Sequence, residues 1–166
     1  MQKVAIFDID GTVVIPHRAK ICKRLCGRDL HSFLVCFCSD MFICFDEPDP
    51  ETVEYMHKLK KEGYVIVLVS GRLERYRKSF EEQLRSWNVP FDALYLNSHI
   101  RNCPNGELML KRELFLMAAH DFGAENVVEI HDDNPMIERA ARKVFPNAKF
   151  VLHDRYSLKK FLEFND

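Results

Sequence analysis

Residues 64–72 have the sequence YVIVLVSGR, which is the most informative stretch of the chain for predicting the fold. Its first six residues are apolar or aromatic without a break, whereas a strand with one exposed face would alternate with polar residues. Such a run, rich in β-branched residues, is typical of a strand buried on both faces, as in a parallel sheet. Ser70 and Gly71 are expected to end the strand, and a helix is expected to follow as far as about Trp87.

Predicted helices and strands alternate along the chain both before and after that strand. Asp49 and Pro50 are a typical N-cap and first helical residue, and their helix is expected to end at Gly63. The other predicted strands are residues 3–7, 92–96, 126–130 and 148–152, and the other predicted helices are residues 107–121 and 134–144. This alternation predicts an α/β fold with a doubly wound, five-stranded parallel sheet, in which ligands bind beyond the carboxyl ends of the strands.

The composition limits the possible classes of protein. A chain of 166 residues with 47% hydrophobic and 30% charged residues is expected to form one domain, residues 1–166, rather than a disordered chain or a coiled coil. The 24 basic and 25 acidic residues nearly balance, which argues against a protein that coats nucleic acid non-specifically.

The longest apolar stretch, residues 32–45, is too short to span a membrane, and the first residues do not resemble a secretion signal. We therefore expect a cytoplasmic protein without a membrane or an obligate protein partner.

The chain contains six cysteines, five of them between residues 22 and 44. Because we expect a reducing compartment and a core large enough to need no cross-links, the sequence predicts free thiols. A zinc site remains an alternative, although the spacing is irregular and no C-x-x-C pair occurs. Its candidate ligands are Cys22, Cys26, His31, Cys36 and Cys38.

Residues 13–48 interrupt the alternation between the first strand and the first helix. A connection of this length within a compact domain is usually functional. Its first part is basic and includes His17, Arg18 and Arg28, whereas its second part is apolar and rich in phenylalanine. We expect a small cap that packs on the domain and presents its basic part near the strand ends.

Polar residues follow the predicted strands at the edge where a ligand would bind. They are Asp8, Asp10, Ser70, Gly71, Arg72, Asp132 and Asp133, and Lys111 lies near the start of a predicted helix. Four carboxylates at close range repel one another, and Mg²⁺ would relieve that repulsion and neutralise a phosphate. One carboxylate can then attack phosphorus to form an aspartyl-phosphate, and a second can act as general acid and base. The Ser70 hydroxyl, the Gly71 amide and the Lys111 ammonium would bind phosphoryl oxygens.

These motifs resemble those of the haloacid dehalogenase (HAD) superfamily. The matching segments are residues 8–12 (DIDGT), residues 70–72 (SGR), Lys111 and the pair Asp132-Asp133, which occur in the family's order. The resemblance implies a Rossmann-like fold, with Asp8 as nucleophile and Asp10 as general acid and base. It also implies Mg²⁺ held by Asp8, Asp132, the Asp10 carbonyl and, through water, Asp133.

A closer resemblance is to the 3′-phosphatase domain of polynucleotide kinase-phosphatases, over residues 63–72, 87–95 and 110–115 and parts of the cap. It implies removal of 3′-phosphates from nucleic-acid ends or nucleotides. Two positions where that family often carries arginine are Asn97 and Asn134 here. The candidate substrate-binding residues are Gly71, Arg72, Arg18, His17, Arg101 and Asn134.

Three hypotheses follow for the function. The first is a Mg²⁺-dependent phosphomonoester hydrolase for nucleic-acid or nucleotide 3′-phosphates. The second is a mononucleotide or small-metabolite phosphatase with the same chemistry, and the third is a non-catalytic module that binds phosphate or metal. The motif residues also have ordinary structural interpretations: the aspartates and Ser70 as turn or capping residues, Lys111 as a surface lysine and Arg72 as part of a surface ion pair.

Overall fold

The computed structural model describes residues 2–100 and 106–163. The strands are β1 (Val4–Asp8), β2 (Val14–Ile15), β3 (Glu47–Pro48), β4 (Val65–Leu73), β5 (Ala93–Asn97), β6 (Val127–Asp132) and β7 (Lys149–Leu152). The α-helices are α1 (Arg18–Cys26), α2 (Leu30–Phe37), α3 (Pro50–Lys61), α4 (Arg77–Ser86), α5 (Gly106–Phe122), α6 (Ile137–Val144) and α7 (Leu158–Leu162).

The main sheet has the strand order β5-β4-β1-β6-β7, and its four strand pairs are all parallel. β1 is central: Val4 is paired with Val65 of β4 on one side and with Val127 of β6 on the other. The chain therefore winds outward from β1 in both directions, and the carboxyl ends of β1, β4 and β6 are adjacent. The predicted doubly wound, five-stranded parallel sheet is confirmed.

Successive side chains of a strand point to opposite faces of the sheet. Because the strands here carry apolar side chains on both faces, helices cover both of them. Ala5 and Phe7 of β1 belong to the apolar cluster that contains residues of α3 and α4. Val4 and Ile6 belong to the cluster on the other face, which contains residues of α5 and α6. All five β1 residues are buried, which explains why the central strands lack polar alternation.

Some boundaries differ from the sequence prediction. β4 continues to Leu73 rather than ending at residue 69, although its register with β5 shifts between Val69 and Leu73. The polar residues at Ser70–Arg72 thus lie within the strand, at the irregularity in its pairing. α6 begins at Ile137, three residues later than predicted, and the short antiparallel β2–β3 pair was not predicted.

The start of α3 agrees with the prediction. The Asp49 side chain accepts a hydrogen bond from the backbone N–H of Glu51, and Pro50 is the first helical residue. After the helix, Gly63 has φ +88°, a left-handed conformation that favours glycine. These local signals set both ends of α3.

The cap consists of α1, α2 and the chain that follows them to β3. Five of its residues form a small apolar cluster, against which the C-terminal helix α7 packs. They are Ala19, Cys22, Phe33, Cys36 and Phe37. The cap core is therefore shared with a segment more than a hundred residues away in the chain.

The prediction of free thiols is wrong for Cys22 and Cys36, which form a disulfide with their Cα atoms 5.7 Å apart. The packing of α1 against α2 brings these two positions face to face, which spacing alone did not reveal. Cys26, Cys38 and Cys44 are free, and Cys103 lies outside the described residues. Over residues 2–100 and 106–163, no group of cysteine and histidine ligand atoms is close enough to hold zinc.

None of the helices in the described ranges has both the length and the apolar character needed to cross a bilayer. The assignment of residues 1–166 to one domain stays a prediction.

Candidate active site

The candidate site lies at the carboxyl edge of the sheet. Asp8 is the last residue of β1, Asp132 is the last residue of β6, and Ser70 lies in β4 between them in sequence. Lys111 reaches the same edge from α5. A pocket of about 560 Å³ opens here, a size typical of small-molecule sites. Its lining includes Asp8, Asp10, Ser70, Gly71, Arg72, Lys111, Asp133 and Asn134.

Three of the four predicted metal ligands lie together. One ligand oxygen from each of Asp8, Asp132 and Asp133 lies within 4.8 Å of the other two. Gly11 makes this arrangement possible: its φ is +91°, and a Cβ atom there would collide with the Asp133 carboxylate. The glycine of the DIDGT motif thus lets the acidic pair approach the turn after β1.

Among the described residues, Lys111 is the cation that forms ion pairs with these acids. Its ammonium donates to Asp8 Oδ1 at 2.6 Å and to Asp132 Oδ2 at 3.0 Å, and the lysine is 2% exposed. Burial lowers the pKa of Lys111, but Asp132 and Asp8 outweigh burial and raise it, so the side chain is charged. Lys111 is therefore not a surface lysine.

One lysine does not balance three carboxylates. Burial, with repulsion from Asp132 and Asp133, raises the pKa of Asp8 well above its usual value despite Lys111. Burial and Asp132 raise the pKa of Asp133 to about 7. A bound cation would remove this penalty, and clustered carboxylate oxygens are the ligands that Mg²⁺ prefers. The residues present therefore fit a divalent metal.

Asp10 is held differently, by two arginines. Arg18 donates to both carboxylate oxygens at 2.8 and 2.9 Å, and Arg72 donates to both at 2.9 and 3.1 Å. Burial raises the pKa of Asp10, but Arg18 and Arg72 outweigh it and hold the pKa well below its usual value. Asp10 is therefore a carboxylate in this geometry, and its side chain points to the arginines rather than to the acidic cluster.

Arg18 also ties the cap to the sheet edge. Its guanidinium donates to the Phe37 carbonyl oxygen at 3.0 Å and to Asp46 Oδ2 at 2.5 Å. Arg18 is fully buried, although the sequence placed it in a basic segment near the strand ends. Sequence reasoning missed Asp46; its only signal was an acid directly after the apolar part of the insert. Arg72 is 1% exposed, so its ion pair is buried rather than at the surface.

The predicted phosphate-binding groups flank these clusters. The Ser70 hydroxyl oxygen accepts a hydrogen bond from the Arg72 backbone N–H at 3.1 Å, and Gly71 lines the pocket. The Asn134 backbone N–H donates to Asp132 Oδ1 at 3.0 Å, and its side-chain amide donates to Glu107. These contacts fix the turns that surround the pocket.

Two of the predicted substrate-binding residues within the described part of the chain, His17 and Arg18, do not line the pocket. His17 forms a partly exposed hydrogen bond with Glu47 Oε2 at 3.2 Å. Arg101 lies outside the described residues. Arg18 contacts the site through Asp10 rather than by lining the pocket.

Part of the pocket wall is apolar, which the sequence had not indicated. The rings of Phe33 and Phe37 stack on each other with centroids 5.5 Å apart, and both line the pocket. Leu158 and Leu162 of α7 line it as well. The backbone N–H of Leu158 donates to Asp133 Oδ2 at 2.7 Å, so α7 is joined directly to the acidic cluster.

Comparison with solved structures identifies the fold. A chain in the structure of the Pnkp1/Rnl/Hen1 RNA repair complex matches with a TM-score of 0.66 at 22% identity, over 92% of this chain and 42% of that one. A haloacid dehalogenase-like hydrolase from Bacteroides fragilis matches with a TM-score of 0.61 at 19% identity, over 90% of this chain and 86% of that one. A haloacid dehalogenase-like hydrolase from Streptococcus pneumoniae has a TM-score of 0.64 at 14% identity, over 96% and 90% of the two chains.

The chain therefore has the fold of HAD-superfamily hydrolases, and the predicted resemblance is confirmed for the fold. It spans less than half of the matched repair-complex chain, 42%. No protein-family model matches the chain, and no curated protein matches it.

Proposed function

We propose that the protein is a Mg²⁺-dependent phosphomonoester hydrolase that forms an aspartyl-phosphate on Asp8. The observation that carries the proposal is the convergence of Asp8, Asp132 and Asp133 within 4.8 Å beside buried Lys111. One carboxylate in such a cluster can serve as nucleophile while the others hold a cation. The HAD fold places this cluster in a pocket at the carboxyl edge of the sheet.

Each residue has a proposed role. A bound Mg²⁺ would neutralise phosphate charge, with Asp8, Asp132, Asp133 and the Asp10 carbonyl as its ligands. Asp8 attacks phosphorus, and the bond from phosphorus to the leaving oxygen breaks. The Ser70 hydroxyl, the Gly71 amide and the Lys111 ammonium hold phosphoryl oxygens.

Asp10 is the proposed general acid and base. In the observed geometry Arg18 and Arg72 occupy both Asp10 oxygens and lower its pKa, which makes it a weak base. Asp10 must therefore turn from the arginines to accept a proton from the water that hydrolyses the aspartyl-phosphate. To protonate a leaving oxygen first, it must carry a proton and turn from Arg18 and Arg72 toward the substrate. Asp10→Asn should therefore slow alkyl phosphates more than p-nitrophenyl phosphate, whose leaving group departs without a proton.

We propose a nucleic-acid or nucleotide 3′-phosphate as the substrate. The support is the match to a chain of an RNA repair complex, together with the sequence resemblance to polynucleotide 3′-phosphatases. Phe33 and Phe37, which are 9% and 6% exposed, add an apolar wall to the pocket that holds the acids. A mononucleotide or small metabolite is the second candidate, because α7 and the cap confine the pocket to about 560 Å³.

The test is phosphate release from p-nitrophenyl phosphate and from 3′-phosphorylated DNA, RNA and mononucleotides, with and without Mg²⁺. Wild-type protein should release phosphate only with the metal, and Asp8→Asn should abolish the reaction. Glu54→Gln, which removes an exposed acid of α3, should leave it unchanged. If wild-type protein hydrolyses no phosphomonoester but still binds inorganic phosphate or Mg²⁺, the protein is a binding module and the proposal fails.

A further inference from the structure

The outer face of α6 carries three exposed cations. Arg139, Arg142 and Lys143 are spaced i, i+3 and i+4, so they lie on the same side of the helix. Together with Pro135 and Glu138 they line a shallow surface groove of about 430 Å³. None of these five residues belongs to the catalytic machinery described above.

The charges on this face do not cancel. Glu138 accepts from Arg142 at 2.6 Å, which leaves the groove's single acid already paired. Within residues 2–100 and 106–163, no hydrogen bond or ion pair joins Arg139 or Lys143 to another side chain. The groove therefore presents two positive charges beyond the Glu138–Arg142 pair.

The groove and the candidate active site have one lining residue in common. Pro135 lines both the groove and the 560 Å³ pocket that contains Asp8 and Lys111. α6 starts directly after this proline turn, so Arg139 lies nearer to the pocket and Lys143 one turn farther away. The helical rise separates these two positions by about 6 Å along the axis.

We propose that this groove binds the phosphodiester backbone of a polynucleotide strand whose terminal 3′-phosphate occupies the pocket. The inference rests on the proposed function and makes the substrate a polynucleotide rather than a free nucleotide. Exposed lysine and arginine bind successive backbone phosphates without regard to base sequence. Arg18, the cap cation that reaches the site, is not available for this role, because it is buried against Asp10 and Asp46.

The test compares substrates that do and do not reach the groove. In Arg139→Gln/Lys143→Gln, kcat/KM for a 3′-phosphorylated single-stranded DNA should fall about tenfold at low salt. The salt slope of log kcat/KM should become shallower by about 1.4, which corresponds to two phosphate contacts of a single strand. A mononucleotide 3′-phosphate does not extend beyond the pocket, so its kcat/KM should be the same with the double variant as with wild-type protein.

A matched control removes two exposed lysines on the other face of the sheet. Lys58→Gln/Lys61→Gln in α3 changes the net charge equally and should leave kcat/KM for the DNA within twofold of the wild-type value. If both double variants lose the same activity, only overall charge matters and the groove proposal fails. It also fails if Arg139→Gln/Lys143→Gln has no effect on the DNA.

A binding experiment separates this inference from the catalytic proposal. Fluorescence anisotropy with labelled 3′-phosphorylated DNA and the Asp8→Asn protein should show weaker binding, by about tenfold, once Arg139 and Lys143 are replaced. If wild-type protein hydrolyses no phosphomonoester, the catalytic proposal fails while this measurement still decides the groove. Unchanged DNA binding overturns the inference. It is also overturned if the full protein binds phosphatidylserine vesicles through Arg139 and Lys143 but does not bind the DNA.

Discussion

Asp8 and Asp10 are separated by one residue, yet their carboxylates have opposite electrostatic surroundings. Asp8 lies with Asp132 and Asp133 beside one lysine, and its pKa is raised because burial and the neighbouring acids outweigh Lys111. Asp10 lies between Arg18 and Arg72, which lower its pKa although burial opposes them. The Asp8 cluster thus carries excess negative charge, whereas the Asp10 cluster, with Asp46, contains two acids and two arginines.

The difference in charge balance gives the two aspartates different roles: ligand binding for the Asp8 cluster and attachment of the cap for the Asp10 cluster. An acidic cluster with too few cations is costly in the folded protein and is relieved by a ligand cation or by protonation. A balanced, buried cluster is satisfied by the chain itself and fixes the cap against the sheet edge. We therefore expect changes near Asp10 to affect stability and changes near Asp8 to affect ligand binding.

The largest expected effect on stability concerns the Asp10 side. Asp10→Asn leaves two buried arginines short of a partner and should lower the free energy of unfolding by about 3–5 kcal/mol, measured by urea denaturation. Glu138→Gln removes an exposed partner of Arg142 and should cost less than about 1 kcal/mol. Equal small losses in both variants would contradict the structural role of Asp10.

The cap disulfide should stabilise the packing of the cap around Asp10 without affecting metal binding at the Asp8 cluster. Cys22 and Cys36 are 14 residues apart in sequence and join the helices that carry Arg18 and the Phe37 carbonyl. Reduction, or Cys22→Ala/Cys36→Ala, should lower the free energy of unfolding by about 3 kcal/mol, the loop-closure value for this length. The stabilisation that Mg²⁺ confers should be unchanged, and its loss on reduction would show that the two clusters are coupled.

The Asp8 side should respond to metal. Mg²⁺ at about a hundred times its dissociation constant should raise the free energy of unfolding by about 2.7 kcal/mol, and a chelator should reverse the change. Asp132→Asn should abolish this response, whereas Glu138→Gln should retain it. A Mg²⁺ response that survives in Asp132→Asn would place the metal elsewhere.

The smallest predicted effect is on pH dependence. The pKa of Asp133 is raised to about 7, so protons compete with metal as the pH falls through that value. Apparent Mg²⁺ affinity should fall about tenfold, or about 1.4 kcal/mol, for each pH unit below 7, as measured by calorimetry. Asp10 stays ionised over this range because its pKa is lowered. Constant affinity from pH 7.5 to 5.5 would contradict a titrating ligand in the acidic cluster.

Much of the site was predictable because its residues follow directly after strands. Asp8, Ser70 and Asp132 come at or near the ends of buried runs, and parallel strands bring such positions to one edge. Asp46 and Leu158 were not predictable, since neither lies near a motif and both reach the site through cap packing. The Cys22–Cys36 disulfide was missed for the same reason: two helices must pack before those thiols meet.

The layered α/β architecture and the acids at its edge can be predicted from the amino-acid sequence, because hydrophobic periodicity and turn residues act over short stretches of chain. Which acid meets which cation depends on how the chain folds. Asp8 and Asp10 have the same side chain and nearly the same position in the chain, so their different environments arise from residues 18, 72 and 111, which folding brings from distant helices and strands. Electrostatic environment depends on distance in space and on burial, which local sequence does not encode.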